Sequence, residues 1–334
     1  MTEIASVPRG ETGDAACASG NGVAGAVRLD ERVTGRGGQA AAVRALEVLV
    51  PGPMTMVQDL GRPGHAALGV GRSGAADRGA LRLANRLVAN PEGAAALEIT
   101  LGGLAVRAHG DLLIALTGAP CRASVTDATG NNQAIGHRAV ERLPDGAVLR
   151  LSLPTSGLRT YLAIRGGVDV PEVLGSRSTD TLAGLGPDRP ARGTLLPIGA
   201  PPRAFPVVDL APLPDPARGD LMLTVRPGPR QDWFRPEALA ALCAAPYEVS
   251  VESDRVGMRL RGQHLARARD DELPSEGMVP GALQVPPSGQ PTLFLVDHPV
   301  TGGYPVIAVV RDPDIDRAAQ ARPGQRIRFR ISSS

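Results

Sequence analysis

The stretch ALEITLGGLAVRA (96–108), followed after three residues by LLIALTG (112–118), sets the character of the chain. Apolar residues alternate with polar ones or run together briefly, then break at glycine. That is the pattern of strands, because successive side chains of an extended backbone point to opposite faces. Working outward, the same reading applies to LEVLV (46–50), AVLRLSL (147–153), RTYLAIRG (159–166), LMLTVRPG (221–228) and YEVSVES (247–253). PTLFLVD (291–297), VIAVVRD (306–312) and QRIRFRI (325–331) continue it. Helical periodicity is scarce. It predicts a helix from Asp77 to Asn90, with Ala80, Leu83, Ala84, Leu87 and Val88 on one face. Asp77 is its N-cap and Asn90-Pro91 its stop. A shorter helix is expected from Pro236 to about Cys243, with proline in the permitted first turn.

The expected fold is therefore mainly β with short helices. The segment 200–219 carries six prolines and little periodicity, which marks it as a linker. The sequence on either side looks duplicated. Pro-Gly-Pro stands at 51–53 and again at 227–229. Asp77-Arg78 before Leu81-Arg82-Leu83 is echoed by Asp254-Arg255 before Met258-Arg259-Leu260. Glu98 and Gly103 match Glu276 and Gly281, and Gly110 and Pro120 match Gly289 and Pro299. The offset creeps from 176 to 179, as small loop insertions after a gene duplication would make it do. The expected organisation is a disordered tail (1–43), an N-terminal lobe (44–199), the linker (200–219) and a C-terminal lobe (220–331).

Composition excludes several functions. The chain has 334 residues and a formal net charge of +2, which calls for neither nucleic acid nor an anionic membrane. No apolar run is long enough to span a bilayer. The start lacks the basic and apolar segments of a signal peptide, so a cytoplasmic location is expected. Cys17, Cys121 and Cys243 are too dispersed for a disulfide framework. The five histidines show no metal-binding spacing. The chain contains no lysine at all, so it cannot carry covalently bound biotin, and anions must be held by arginine or backbone N–H groups.

Four segments could carry chemistry. Residues 51–90 place Gln58, Asp59, Arg62 and Ser73 among glycine-rich turns, which either approach an anion or simply make tight turns. Residues 165–181 hold Arg177 and Ser178 in a hydroxyl-rich loop, suited to an anion or to capping. Residues 252–291 supply Arg255, Glu276 and Gln284. Residues 295–310 put Asp297 at a strand end and Thr301 in a glycine turn. From these motifs alone no reaction follows.

Six segments in order resemble one family: PGPMTMVQDLGRPGH (51–65), SGAADRGALRLANRLVAN (73–90), GGVDVPEVLGSRST (166–179), SDRVGMRLRG (253–262), SEGMVPGALQVPPSGQP (275–291) and TGGYPVIAVV (301–310). They are similar to biotin-dependent carboxyltransferase-like proteins of the allophanate hydrolase subunit 2 type, and most of all to the branch formed by the C subunits of 5-oxoprolinases. The resemblance covers about residues 45–330. It implies two cyclophilin-like β-barrel lobes, related by the duplication. It implies an ATP-coupled lactam hydrolase, opening 5-oxo-L-proline to L-glutamate. The implied partners are a 5-oxoprolinase B subunit (allophanate hydrolase subunit 1 type) and an A subunit (LamB/YcsF type). ATP, with Mg as its counter-ion, would be bound by this chain or elsewhere in the complex. On the matching positions, Asp59, Glu276 and Asp297 are expected to be catalytic. Arg62, Arg177 and Arg255 would hold anionic groups, and Gln58, Ser73, Ser178, Gln284 and Thr301 would orient substrate. The chain departs from the family pattern at Pro299-Val300 and Val306, where relatives carry Gln-Thr and a lysine. Two other roles are compatible with the resemblance: the carboxyltransferase component of a urea carboxylase-type system, and a non-catalytic regulator of a protein like the B subunit.

Overall fold

A computed structural model describes residues 44–269 and 271–332. The tail expected over 1–43 lies outside the described residues.

Between the first strand and residue 199 the strands divide into two antiparallel sheets. One runs in the order Leu195–Pro197, Ala45–Pro51, Leu104–His109, Val148–Pro154, Cys121–Thr126, Asn132–Ile135. The other runs Met54–Gln58, Ala96–Thr100, Arg159–Ile164, Leu112–Gly118, Val140–Leu143. Strand Arg159–Ile164 shows how they stack. It is buried on both faces. Leu162 and Ile164 meet Leu46, Val106 and Leu149 of the other sheet. Tyr161 and Ala163 face the opposite way, against helix α1 (Arg78–Leu87). Small residues let the helix approach closely: Ala163 pairs with Ala115, and both pack with Leu81, Ala84 and Leu87. Asp77 caps α1 as expected, accepting the Ala80 N–H at 2.8 Å. The helix ends earlier than its sequence pattern, because Ala89 turns left-handed (φ 56°).

The C-terminal half closes into a barrel. Its strands run Leu221–Pro227, Val306–Val310, Ala282–Gln284, Thr292–Phe294, Gly257–Arg261, Tyr247–Val249, Arg326–Ile331, and the last pairs in parallel with the first. Leu223, Tyr247, Leu260, Leu283, Ile307 and Phe329 fill it. Helix α2 (Ala238–Ala244) falls near the expected position, and α3 (Asp312–Ala318) is an addition with no counterpart among the expected helices. Of the two barrel lobes expected, this one closes, whereas the N-terminal strands form two facing sheets.

The duplicated signals fare unevenly. Both Pro-Gly-Pro segments end the first strand of their half, and both glycines are crowded by a carbonyl. A Cβ on Gly52 would sit 2.4 Å from the Gly102 oxygen, and one on Gly228 would sit 2.3 Å from the Val306 oxygen. Gly103, Gly110 and Pro120 flank successive strands, as do Gly281, Gly289 and Pro299. The Asp-Arg match is different. Asp77-Arg78 opens a helix, while Asp254-Arg255 lies in the turn before strand Gly257–Arg261, so that likeness is not one of local structure.

The segment 200–219 has no helix or regular strand but is tied down along its length. Arg165 donates to the Pro202 and Ala204 carbonyls and lies 4.6 Å from the Phe205 ring. Val140 and Ala211 N–H groups donate to the Asp209 and Arg138 carbonyls respectively. Among the described residues no helix is long and apolar enough to cross a membrane.

Candidate functional site

The seam between the halves is built around Arg255. Asp254 accepts the Val256 and Gly257 N–H groups at 2.8 and 2.9 Å, a local turn that sends the next side chain inward. Arg255 is 2% exposed. Its Nε donates to Asp297 at 2.9 Å, its Nη1 to Glu98, and its Nη2 to Asp297 and the Gly74 carbonyl. Asp297 also accepts Ser73 Oγ and Thr181 Oγ1, each at 2.7 Å. Glu98, from the strand that opened the sequence reading, accepts Tyr161 Oη at 2.7 Å and the Ala76 N–H at 2.9 Å. Arg159 Nε lies 3.5 Å from it. Burial is the largest influence and opposes ionisation of both carboxylates, but the Arg255 charge, the hydrogen bonds each receives, and Arg159 beside Glu98 together hold Asp297 and Glu98 below their ordinary values. Burial works against the Arg255 cation too, and the same carboxylates more than offset it, raising its pKa.

A second cluster adjoins the first. Asp59 accepts the Gly61 and Arg177 N–H groups and Ser176 Oγ, all at 2.7 Å, together with Ser178 Oγ. Arg62 is 1% exposed, donates to the Val173 and Ser178 carbonyls, and lies 3.7 Å from Asp180. Gln58 donates to the Thr179 carbonyl at 2.8 Å, and Ser73 Oγ, whose proton goes to Asp297, lies 3.4 Å from the same oxygen, which brings the clusters together. The structure thus gathers Gln58, Asp59, Arg62, Ser73, Ser178, Arg255 and Asp297 in one buried network.

It does not gather the rest. Arg177 lies at a half-buried edge, paired with Asp169 at 2.9 Å and with Glu172. In this structure Arg62, Arg177 and Arg255, the three residues expected to hold an anion, are each engaged by protein carboxylates or carbonyls. Asp59 and Asp297 likewise spend their oxygens on internal donors, which leaves them holding loops rather than facing water.

Glu276, Gln284 and Thr301 belong to a separate region around a short ribbon, Glu276–Gly277 paired with Thr301–Gly302. Thr301 is exposed, and Gln284 donates to the Tyr304 carbonyl at 3.0 Å. Glu276 keeps 25% of its side chain accessible and pairs with Arg230, a residue that none of the four segments contains. Arg230 directly follows the second Pro-Gly-Pro, and that position is its only sequence signal. Hydrogen bonds from Arg230 outweigh a slight desolvation and keep Glu276 ionised below its ordinary range. Nearby in the chain, His298 lies 2.8 Å from the Pro299 carbonyl through Nδ1, which puts the proton there and leaves Nε2 as an acceptor. Burial lowers its pKa, so the ring is neutral at pH 7. Among the described residues no three His, Cys, Asp or Glu side chains come together as a metal site.

The chain as a whole, a pair of sheets followed by a closed barrel, has counterparts among known proteins. The family model described as "carboxyltransferase domain, subdomain A and B" matches residues 68–331, and the chain belongs to that family. It is 42% identical to the C subunit of 5-oxoprolinase from Escherichia coli (strain K12), over 85% of this chain and 90% of that protein. The crystal structure of TTHA0988 superposes with a TM-score of 0.77 at 37% identity, covering 86% of this chain and 56% of that one. The K. lactis urea amidolyase superposes with a TM-score of 0.81 at 32% identity, covering 88% of this chain and 19% of that one. The chain therefore spans about half and one fifth of those two solved chains.

Proposed function

We propose that this chain is the C subunit of an ATP-dependent 5-oxoprolinase, working in the cytoplasm with A and B subunits. The observation that carries this reading is the 42% identity to the E. coli protein of that name, which extends over 90% of its length. The chemistry asks for such a division of labour. A lactam carbonyl is a poor electrophile, and phosphorylation of its oxygen supplies a leaving group before water attacks. Arg62, Arg177 and Arg255 are engaged internally here, which favours a reading in which donors for that phosphate come from elsewhere. The nucleotide and its magnesium are thus assigned to another component of the complex or to the seam with one.

What this chain offers toward a partner is the ribbon. Glu276 is ionised and accessible, the state required of an acceptor that orients or deprotonates water. Arg230 fixes it, and neutral His298 precedes by three residues the Thr301 of the paired strand. A second reading, carboxyl transfer in a urea carboxylase-like complex, is favoured by the K. lactis urea amidolyase superposition. There the carboxybiotin would ride on another chain, since this one has no lysine.

Mixing the chain with candidate A and B subunits and supplying either 5-oxo-L-proline with ATP, or urea with bicarbonate, ATP, a biotin carboxylase and a biotinylated carrier, separates the two. Glutamate formation supports the proposal, while carboxylated urea without glutamate overturns it. Glu276→Gln is expected to lower glutamate formation by about 10²-fold or more with the unfolding midpoint unchanged. Unaltered turnover in that variant would remove Glu276 from the chemistry.

A further inference from the structure

The barrel wall carries a groove of about 370 Å³ beside helix α3, within the size range of small-molecule pockets, which begins at ~300 Å³. Pro280, Val309, Pro313 and Ile315 give it an apolar lining, and Arg226, Arg311 and Asp312 complete it. Strand register places the two arginines. Arg226 is the direct partner of Val309 across the antiparallel pair Leu221–Pro227 and Val306–Val310. Arg311 lies two residues beyond Val309 and keeps an extended backbone (φ −65°, ψ 143°), so alternation puts its side chain on the same face. The two arginines are thus diagonal neighbours across the pair, roughly 7–8 Å apart at Cα, a span that long side chains close.

Charge decides what the groove would hold. Both arginines are exposed, and among the described residues neither guanidinium has a hydrogen bond or an ion pair. One surface arginine in that state is ordinary, but two lining the same apolar groove leave an unmet charge there. The carboxylates nearby are already engaged. Asp312 is bridged by Arg78 at 2.9 Å, and Asp316 accepts from Arg78 and the Gly79 N–H. Asp314 accepts from Arg317 and the Thr224 N–H, each at 2.7 Å. Three carboxylates therefore stand against Arg78, Arg226, Arg311 and Arg317, and the surplus is one cation. A cationic ligand is repelled, and a neutral one leaves both arginines unpaired. A bare anion would gain only exposed ion pairs, which contribute little. Joined to an apolar body, it also takes Val309, Pro280 and Pro313 out of water. The barrel is closed, so its strands satisfy one another's main-chain groups and offer an extended peptide no edge to pair with. The occupant is then a small molecule gripped by side chains.

We propose that this groove binds a small organic anion, an apolar body bearing one carboxylate, with the carboxylate between Arg226 and Arg311. The inference rests on the groove alone and stands apart from the proposed activity.

Isoleucine methyls provide the readout, because Ile315 lines the groove while Ile99, Ile114 and Ile164 sit in the core of the N-terminal sheets. In methyl-labelled full-length protein, 1-naphthoate is expected to shift the Ile315 resonance saturably and leave Ile99, Ile114 and Ile164 in place. 1-Naphthamide, its neutral isostere, should bind at least about fivefold more weakly, the loss of two exposed ion pairs. Arg226→Gln and Arg311→Gln each remove a cation that has no partner within the protein, so folding should be unaffected. Each should weaken naphthoate about two- to fivefold and leave naphthamide unchanged. The proposal is overturned if naphthoate does not shift Ile315, if naphthamide matches naphthoate, or if either variant binds naphthoate as the wild type does. The comparison of acid and amide on wild-type protein decides the matter even if a variant fails to fold.

Discussion

Arg255 and Arg177 carry the same side chain in opposite surroundings, and that contrast defines what the residues of this protein do. Arg177 is a surface group shared between Asp169 and Glu172, and such pairs contribute little. Arg255 bridges Glu98 and Asp297, so Arg255→Ala strands two buried carboxylates. A loss of about 3–5 kcal/mol in urea unfolding is expected, and a loss below about 1 kcal/mol would show that the bridge is dispensable. Asp77 behaves differently. Burial raises its carboxyl to about 6, against the hydrogen bonds from Gln320 and Ala80. The folded protein then binds more protons than the unfolded chain between about pH 4 and 6, so this residue's contribution falls as pH rises through that window. Asp77→Asn, neutral throughout, should gain about 1–3 kcal/mol relative to wild type between about pH 4 and 7. Glu98 and Asp297, whose values are lowered, contribute at higher pH and lose that contribution in acid, equally in both proteins. A wild-type-to-variant gap that stays constant across the window would refute the assignment. Sequence marks seven of the network's residues but not their mutual engagement. Tyr161 reads only as a member of a strand, and Glu98 as a strand residue matched to Glu276 by the duplication, because nothing local announces a buried ion pair.

The elements are legible where one side-chain pattern dominates. Alternation marks the strands around 96–118 and 159–166, and the capping residue marks the start of α1. Strands Cys121–Thr126, Asn132–Ile135 and Val140–Leu143 escape the pattern, being polar pieces whose backbone is recruited by neighbouring strands. Helix α3 has acidic residues and proline in its first turn, yet only Ile315 and Ala318 are buried, too short a stripe to read. The repeated Pro-Gly-Pro has a physical content that composition could not show, a carbonyl packed against each glycine. Gly52→Ala, at φ 68° and facing the Gly102 oxygen, should therefore cost more than about 1 kcal/mol of stability in thermal or urea unfolding. An unchanged midpoint would mean that the turn can relax.

At the scale of the whole molecule, the two halves are held by the Arg255 bridge and by the strap of residues 200–219. The linker is recognisable from its prolines, though not its attachment through Arg138, Arg165 and Gln325 to both halves. The resulting body presents Glu276 and Arg230, an accessible ionised pair on a surface ribbon, which fits a component that completes a site with a partner. The measurement that bears most directly on this account is 5-oxo-L-proline-dependent ADP release by the reconstituted A, B and C subunits, with each omitted in turn. The account predicts coupled release of ADP and glutamate only when all three are present. Full coupled activity without this chain would contradict it.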